Sequence, residues 1–496
     1  MNILFAASEA HPLIKTGGLA DVSGSLPRAI KNAKQEIRLI LPAYPAAVEN
    51  AGPLKTLATL DLPGIDTAIT VLQGRLPKTR VTLYLIDAPA LFNRPGGPYS
   101  QKDGTDWPDN ALRFAIFCRA VTEIAQNRAG LDWQPEIVHC NDWQTGLVPA
   151  FLTLEKVRPA TIFTIHNLAY QGLFSWQQFQ TLEAPQDWWS MYKLEFHDQF
   201  SFIKGGLVYA DKLTTVSPTY AKEICTPEYG CGLEGLLASR RGQLSGILNG
   251  VDYEVWNPGQ DTLIQQTYTT RTLSRKQENK SAALKAFKLP ATPNTALLGH
   301  VGRLVDQKGI DLLIEIIPAL IQRPVQLVIL GTGQKKFETA LKQLAVQYPD
   351  KLQVHIGYSE ALSHLIEAGA DVFLMPSRFE PCGLNQLYSL RYGTPPVVRH
   401  TGGLADSITH TNETTLQQKT ANGFVFEKAS TVDLLKTIDR ALYYYAQPAI
   451  WKQIVKTGMR TDFSWQQSAN AYLTLYREAL TEQQIGNSPD STEVNV

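Results

Sequence analysis

The chain has 496 residues, and its 46 Lys and Arg balance 46 Asp and Glu to a formal net charge of +0, which argues against a broad nucleic-acid surface or a polybasic membrane patch. With 44% hydrophobic residues, this length suits two or three domains with large cores. Five cysteines (Cys118, Cys140, Cys225, Cys231, Cys382) make no C-x-x-C pair, so neither a disulfide framework nor a zinc knuckle is expected, and a reducing cytoplasm or a similar compartment is.

Ile3 to Ala7 is the first predicted strand. It has no basic segment ahead of it and Glu9 follows within the same run, so it reads as a strand and not as a signal peptide. No stretch approaches the length of a membrane-spanning helix. Thr16-Gly-Gly-Leu-Ala-Asp21 comes next, and the same hexapeptide returns at Thr401 to Asp406. Each copy places two glycines ahead of a helix-like stretch, a turn whose N–H groups and helix dipole favour a phosphate or other anion. Lys15 adds a fixed cation to the first copy, and His400 precedes the second. A purely structural helix start is the competing reading of either copy. Pro27 falls inside the helix after the first copy and is expected to kink or split it.

Strands are predicted at Ile37 to Leu41, Thr82 to Ile86, Ile137 to Cys140 and Thr161 to Thr164, with the polar segment Asn93 to Asn110 between them. His139, Asp142 and Trp143 cluster about the end of one strand, and His166 and Asn167 follow the next. A lone His is more often structural than catalytic. The polar stretch Asn257 to Asn279 marks a connection, residues 246–290, between an N-terminal domain, 1–245, and a second domain, 291–460.

The second domain alternates strands at Ala296 to Val301, Val325 to Leu330, Leu352 to Ile356, Val372 to Met375 and Pro396 to Val398 with helices at Asp311 to Ile321, Lys335 to Gln347, Ala361 to Ala368 and Asn385 to Tyr392. That is a doubly wound α/β pattern, so two Rossmann-like domains facing across a cleft are expected, with ligands beyond the carboxyl ends of their strands. Arg303, Lys308 and Gly309 follow the first of these strands, where they can neutralise a diphosphate; solvated surface cations are the alternative. Ser377-Arg-Phe-Glu-Pro-Cys-Gly-Leu384 follows the fourth. There Glu380 can orient a polar substrate or serve as a simple helix-terminus charge, Gly383 and Leu384 offer N–H donors, and Cys382 has no nearby His to make it a nucleophile. Lys336 stands where a dinucleotide fingerprint opened by Gly331-Thr-Gly333 needs its third glycine, which argues against an NAD site. A helix at Trp465 to Leu480, within residues 461–484, docks back on the N-terminal domain in this reading, and 485–496 is a polar disordered tail.

Taken in order, Lys15 to Asp21, His166-Asn-Leu-Ala-Tyr-Gln-Gly172, Asn249-Gly-Val-Asp252, Arg303 with Lys308-Gly309, Ser377 to Leu384 and Thr401-Gly-Gly403 resemble the bacterial glycogen synthase and plant starch synthase family from residue 2 to about residue 480. The resemblance implies the two-domain GT-B fold and retaining transfer of glucose from ADP-glucose to the non-reducing end of an α-1,4-glucan or maltooligosaccharide. It implies no metal and no cofactor, since ADP-glucose is a substrate, and a bacterial cytosolic location. Among donor contacts it implies Lys15, Arg303 and Lys308 on the diphosphate with Gly18, Gly383 and Leu384, and Glu380 and His166 on the transferred glucose. Asp21 and Tyr358 fall on the nucleoside side, and Asn249, Thr401, Gly402 and Gly403 complete the donor set. Tyr99, Asp142, Trp143 and Asn167 fall to the acceptor glucan. Two features depart or discriminate: Asn141 and Gln144 stand where many bacterial glycogen synthases carry His, which leaves acceptor preference open. Tyr388 stands where many GT-B relatives have a second Glu, as the glycogen and starch synthase branch does. An enzyme using another nucleotide sugar, or a non-catalytic glucan-binding protein, are the alternatives.

Overall fold

The computed structural model describes residues 1–486, so the expected tail lies outside the described residues except for its first two positions, which end a helix. The chain divides into two compact units, one of Met1–Val216, Ala221–Gly250 and the chain from Trp465 onward, the other of Ser217–Tyr220 and Val251–Ser464.

The first unit is built on β1 (Asn2–Ala6), β2 (Glu36–Pro42), β3 (Lys55–Leu60), β4 (Ile69–Arg75), β5 (Thr82–Asp87), β6 (Ile137–Asn141) and β7 (Ala160–Ile165). A small antiparallel sheet of β8 (Leu173–Phe174), β9 (Glu195–Phe196) and β10 (Gln199–Ser201) stands apart, and β11 (Lys212–Thr215) and β12 (Leu244–Gly246) complete the main sheet. Its order is β12-β11-β7-β6-β1-β2-β5-β4-β3, parallel except at the β5-β4-β3 edge. Ile3, Leu4, Phe5 and Ala6 are all fully buried, the near-continuous apolar run of a parallel strand covered on both faces. The order in which strands are added reverses between β1 and β6, which run parallel, so the segments leaving these strands border a topological switch point.

Helix α1 (Gly18–Asn32) continues through Pro27 without splitting. Proline removes one ladder hydrogen bond, but Leu19, Val22, Leu26 and Ile30 bury the face that holds the helix down. The C-terminal helix Trp465–Gly486 packs on α1 and β7 within this unit. It is pinned by buried polar contacts: Tyr476 Oη lies 2.7 Å from His139 Nδ1, and His139 Nε2 lies 2.7 Å from Thr164 Oγ1. His139, grouped with Asp142 and Trp143 by sequence, is therefore committed to the core on both ring nitrogens.

The second unit contains β13 (Ala296–Val301), β14 (Val325–Gly331), β15 (Leu352–Ile356), β16 (Val372–Met375), β17 (Pro396–Arg399) and β18 (Phe424–Phe426), all parallel in the order β15-β14-β13-β16-β17-β18. This is a Rossmann order with its switch point between β13 and β16. Apolar layers cover both faces. Leu298, Leu313, Ile317, Leu327 and Leu374 form one, and Leu297, Val328, Ile366, Phe373 and Val398 the other. Consecutive residues such as Leu297 and Leu298 serve opposite layers, as the two-residue strand period requires.

Burial pushes the His139 imidazole down to about 3, so folding holds it neutral. The unfolded chain binds a proton near the ordinary histidine value while the folded chain does not. This contribution to stability is therefore present above that value and is lost as pH falls toward 3, with a slope of up to about 1.4 kcal/mol per pH unit. Thermal melting between pH 7 and pH 5 should show a falling Tm for the wild type and a shallower fall for His139→Gln. Equal slopes would assign the acid sensitivity to other groups.

Candidate active site

In the first unit, the chain leaving β1 forms the first glycine turn. Gly17 caps α1 and Gly18 is its first residue. The turn is held from inside by Glu9, a buried carboxylate that the sequence motifs did not single out. Glu9 Oε2 accepts the Thr16 N–H at 2.5 Å, the Thr16 hydroxyl at 2.7 Å and the Gly17 N–H at 3.4 Å. Its other oxygen accepts from Tyr99 Oη at 3.1 Å, which also lies 2.7 Å from Ser8 Oγ. Burial raises the Glu9 pKa against these donors. Lys15 projects from the turn and pairs with Asp21 Oδ1 at 2.7 Å.

The segments leaving β6 and β7 supply the neighbouring groups. Asp142 adopts a left-handed φ of 63°, a costly conformation for a non-glycine residue. Its carboxyl meets the N–H groups of His166, Trp143 and Asn167, yet burial pushes it up to about 8. His166 Nε2 lies 3.0 Å from Asn141 Oδ1, and burial pushes the His166 imidazole down to about 3, so it is neutral at physiological pH. The Trp143 ring packs among Phe114, Phe174, Phe202 and Tyr99, with centroids 5.0, 5.8, 6.1 and 6.4 Å away. A Cβ at Gly172 would come within 2.3 Å of that ring. Tyr99, Asp142, Trp143, His166 and Asn167 thus come together at one sheet end. Asn249 is buried in the same unit, its Oδ1 without a hydrogen-bond partner among the described residues.

In the second unit, the segments leaving β13 and β16 meet at the switch point. Lys308 Nζ lies 2.5 Å from Glu380 Oε2, which also accepts from Ser377 Oγ at 3.0 Å. The Glu380 side chain is 7% exposed and that of Lys308 18%. Gly309, with φ 65°, makes this meeting possible: a Cβ there would sit 2.0 Å from the Pro376 carbonyl oxygen. Arg303 is exposed on the same segment, its Nη2 3.3 Å from Gln307 Oε1. Gly383 and Leu384 are partly exposed ahead of the helix Asn385–Arg391, and Tyr358 is exposed just beyond β15. Tyr388 stacks on Trp256 at 3.9 Å, and Trp256 stacks on His364 at 3.8 Å. Tyr388, the position set apart by the sequence resemblance, is thus buried in an aromatic stack.

The second glycine turn differs from the first. Thr401, Gly402 and Gly403 are buried, whereas Lys15, Thr16 and Gly18 are exposed. Gly402 has φ 44°, and a Cβ on it would sit 2.0 Å from the Glu380 carbonyl oxygen; one on Gly403 would sit 2.0 Å from that of Cys382. The Gly403 N–H, expected to contact the donor, instead donates to the carbonyls of Glu380 and Pro381, both at 3.1 Å. The second copy therefore braces the Glu380 loop from behind, with the Gly403 N–H committed to the loop carbonyls.

Among known proteins, the family model described as starch synthase catalytic domain matches residues 2–239, and that described as glycosyl transferases group 1 matches residues 282–456. A protein named glycogen synthase 1 from Methylococcus capsulatus is 53% identical over 488 residues, 98% of this chain and 98% of that protein. A glycogen synthase from Thioalkalivibrio sulfidiphilus is 53% identical over 484 residues, 97% of this chain and 100% of that one. The catalytic domain of starch synthase IV from Arabidopsis thaliana, solved with ADP and acarbose, superposes with a TM-score of 0.87 at 31% identity, covering 97% of this chain and 99% of that domain.

The two glycine turns should respond differently to the same substitution. Gly17 is extended at φ −153° with nothing near a new Cβ, so Gly17→Ala should change stability by no more than about 0.5 kcal/mol. Gly402→Ala, strained and blocked by backbone, should destabilise by about 2 kcal/mol or more. Denaturant midpoints of the two variants check this, and equal losses would contradict the assignment of different roles.

Proposed function

The chain belongs to the glycogen synthase and starch synthase family, and from that premise we propose that it elongates an α-1,4-glucan by retaining transfer of glucose from ADP-glucose to the non-reducing end. The observation that carries this reading is the Lys308–Glu380–Ser377 cluster at the β13/β16 switch point. It puts a fixed cation and an oriented carboxylate where an open α/β sheet presents ligands.

As ADP departs, negative charge grows on its terminal phosphate. Lys15, Arg303 and Lys308 meet that charge, with N–H groups of Gly18, Gly383 and Leu384, and stabilise it more than the ground state. Side-chain cations take the part a metal plays elsewhere, and no cofactor enters. Glu380 and neutral His166 hold the hydroxyls of the transferred glucose, and Asp21, Tyr358 and Asn249 hold the rest of the donor. Thr401, Gly402 and Gly403 act on the donor through the Glu380 loop. Tyr99, Asp142, Trp143 and Asn167 receive the glucan, Trp143 and Tyr99 by ring contact with sugar faces. Front-face attack by the acceptor hydroxyl, which forms the new C–O bond as the bond to ADP breaks and passes its proton to an oxygen of the departing phosphate on that face, then retains configuration. The work is done in the bacterial cytosol; among the described residues no helix is long and apolar enough to cross a membrane.

Labelled glucose should pass from ADP-glucose to a short maltooligosaccharide and give a ladder growing by single units, with UDP-glucose in parallel giving much less. Glucan binding without transfer from either donor would replace this reading with an accessory role. Lys15→Ala and Glu380→Ala should each lower kcat by about 100-fold or more while leaving the circular-dichroism spectrum unchanged; near-normal turnover in both would remove these residues from the site.

A further inference from the structure

Asn141 ends β6 and is fully buried. It stands where many bacterial glycogen synthases carry His. In the sheet it lies beside Thr164, two residues before His166. Its Nδ2 faces two main-chain carbonyls, Ala6 O at 3.1 Å and, more weakly, His139 O at 3.4 Å. A carbonyl oxygen only accepts, so the amide nitrogen belongs on that side; the flipped amide would set Oδ1 against both oxygens. Oδ1 is thereby turned to His166 Nε2 at 3.0 Å. Since Oδ1 also only accepts, the imidazole proton must sit on Nε2. The ring is held neutral by burial and carries that one proton alone.

We propose that Asn141 is a positioning residue that fixes His166 in its Nε2–H tautomer, so that Nδ1 offers a lone pair and selects a sugar hydroxyl able to donate to it. The selection step rests on the reading that His166 meets the transferred glucose; the tautomer does not. An Nδ1–H ring would instead demand an acceptor, and an unfixed ring would discriminate poorly. A site built to hydrogen-bond a hydroxyl rejects an analogue lacking it, because the buried partner is left unpaired.

Two measurements on the full-length protein separate these claims. Long-range ¹H–¹⁵N correlation of ¹⁵N-histidine protein, with His166 assigned by its loss in His166→Gln, should show a protonated Nε2 and an unprotonated Nδ1 without averaging. A protonated Nδ1, or an averaged pair, overturns the proposal without recourse to any Asn141 variant. Mono-deoxy ADP-glucose analogues then test selection. One of them should lower kcat/KM by at least about tenfold in the wild type, and by less than about threefold in Asn141→Ala measured against that variant's own rate on ADP-glucose. A penalty that persists in full in Asn141→Ala removes Asn141 from the positioning role. The fixed tautomer with no penalty for any analogue in the wild type overturns the contact between His166 and the sugar, while robust transfer from ADP-glucose itself would leave the proposed activity standing.

Discussion

The candidate site of the second unit is organised around one ion pair, Lys308 with Glu380. A carboxylate this deeply buried is tolerable only with a partner, and removing either member leaves an uncompensated charge at a cost on the order of 3 kcal/mol. Replacing both with apolar residues would commonly be neutral or better for stability, so the fold alone gives little reason to keep the pair. The surrounding backbone is shaped to bring the two together. Gly309 lets the Lys308 segment pass under Pro376, and Gly402 and Gly403 let the second glycine turn press on the carbonyls of Glu380 and Cys382. Three close backbone approaches thus brace the loop that carries this carboxylate, as expected when orientation is what the chemistry requires.

The first unit solves a similar problem with different parts. Its glycine turn is exposed and carries a cation, and Glu9 ties the turn to Tyr99, which belongs to the proposed acceptor side. The segment beyond β6 holds Asp142 at a positive φ of 63°, and burial pushes its carboxyl up to about 8 against the backbone N–H groups beside it. Neutral imidazole at His166 fits a group that orients hydroxyls. A charged ring there would face the same burial penalty without a carboxylate partner.

Much of this was legible in the chain, for identifiable reasons. Strands covered on both faces read as apolar runs, so β1, β6, β13, β14 and β16 were placed to within a residue or two. Chemistry-bearing segments directly after such strands could be ranked without a structure. The short strands β11, β12 and β18 and the half-exposed edge strands β3 and β4 left no comparable pattern. Glu9 is tied to Tyr99 and Asn141 to His166, partners 90 and 25 residues away in sequence, which no local window sees. The repeated hexapeptide shows the limit most directly: identical residues give an exposed turn at Thr16 and a buried support at Thr401, and only what packs against each copy separates them.

The central claim is that Lys308 and Glu380 act as one unit in glucosyl transfer. A double-mutant cycle of Lys308→Ala and Glu380→Gln on kcat/KM for transfer from ADP-glucose to maltooligosaccharide tests it most directly. The account predicts that each single change costs about 100-fold or more and that the double variant is little worse than the poorer single, a coupling of more than about 1 kcal/mol. Fully additive losses, or a single variant with near-normal turnover, would contradict it.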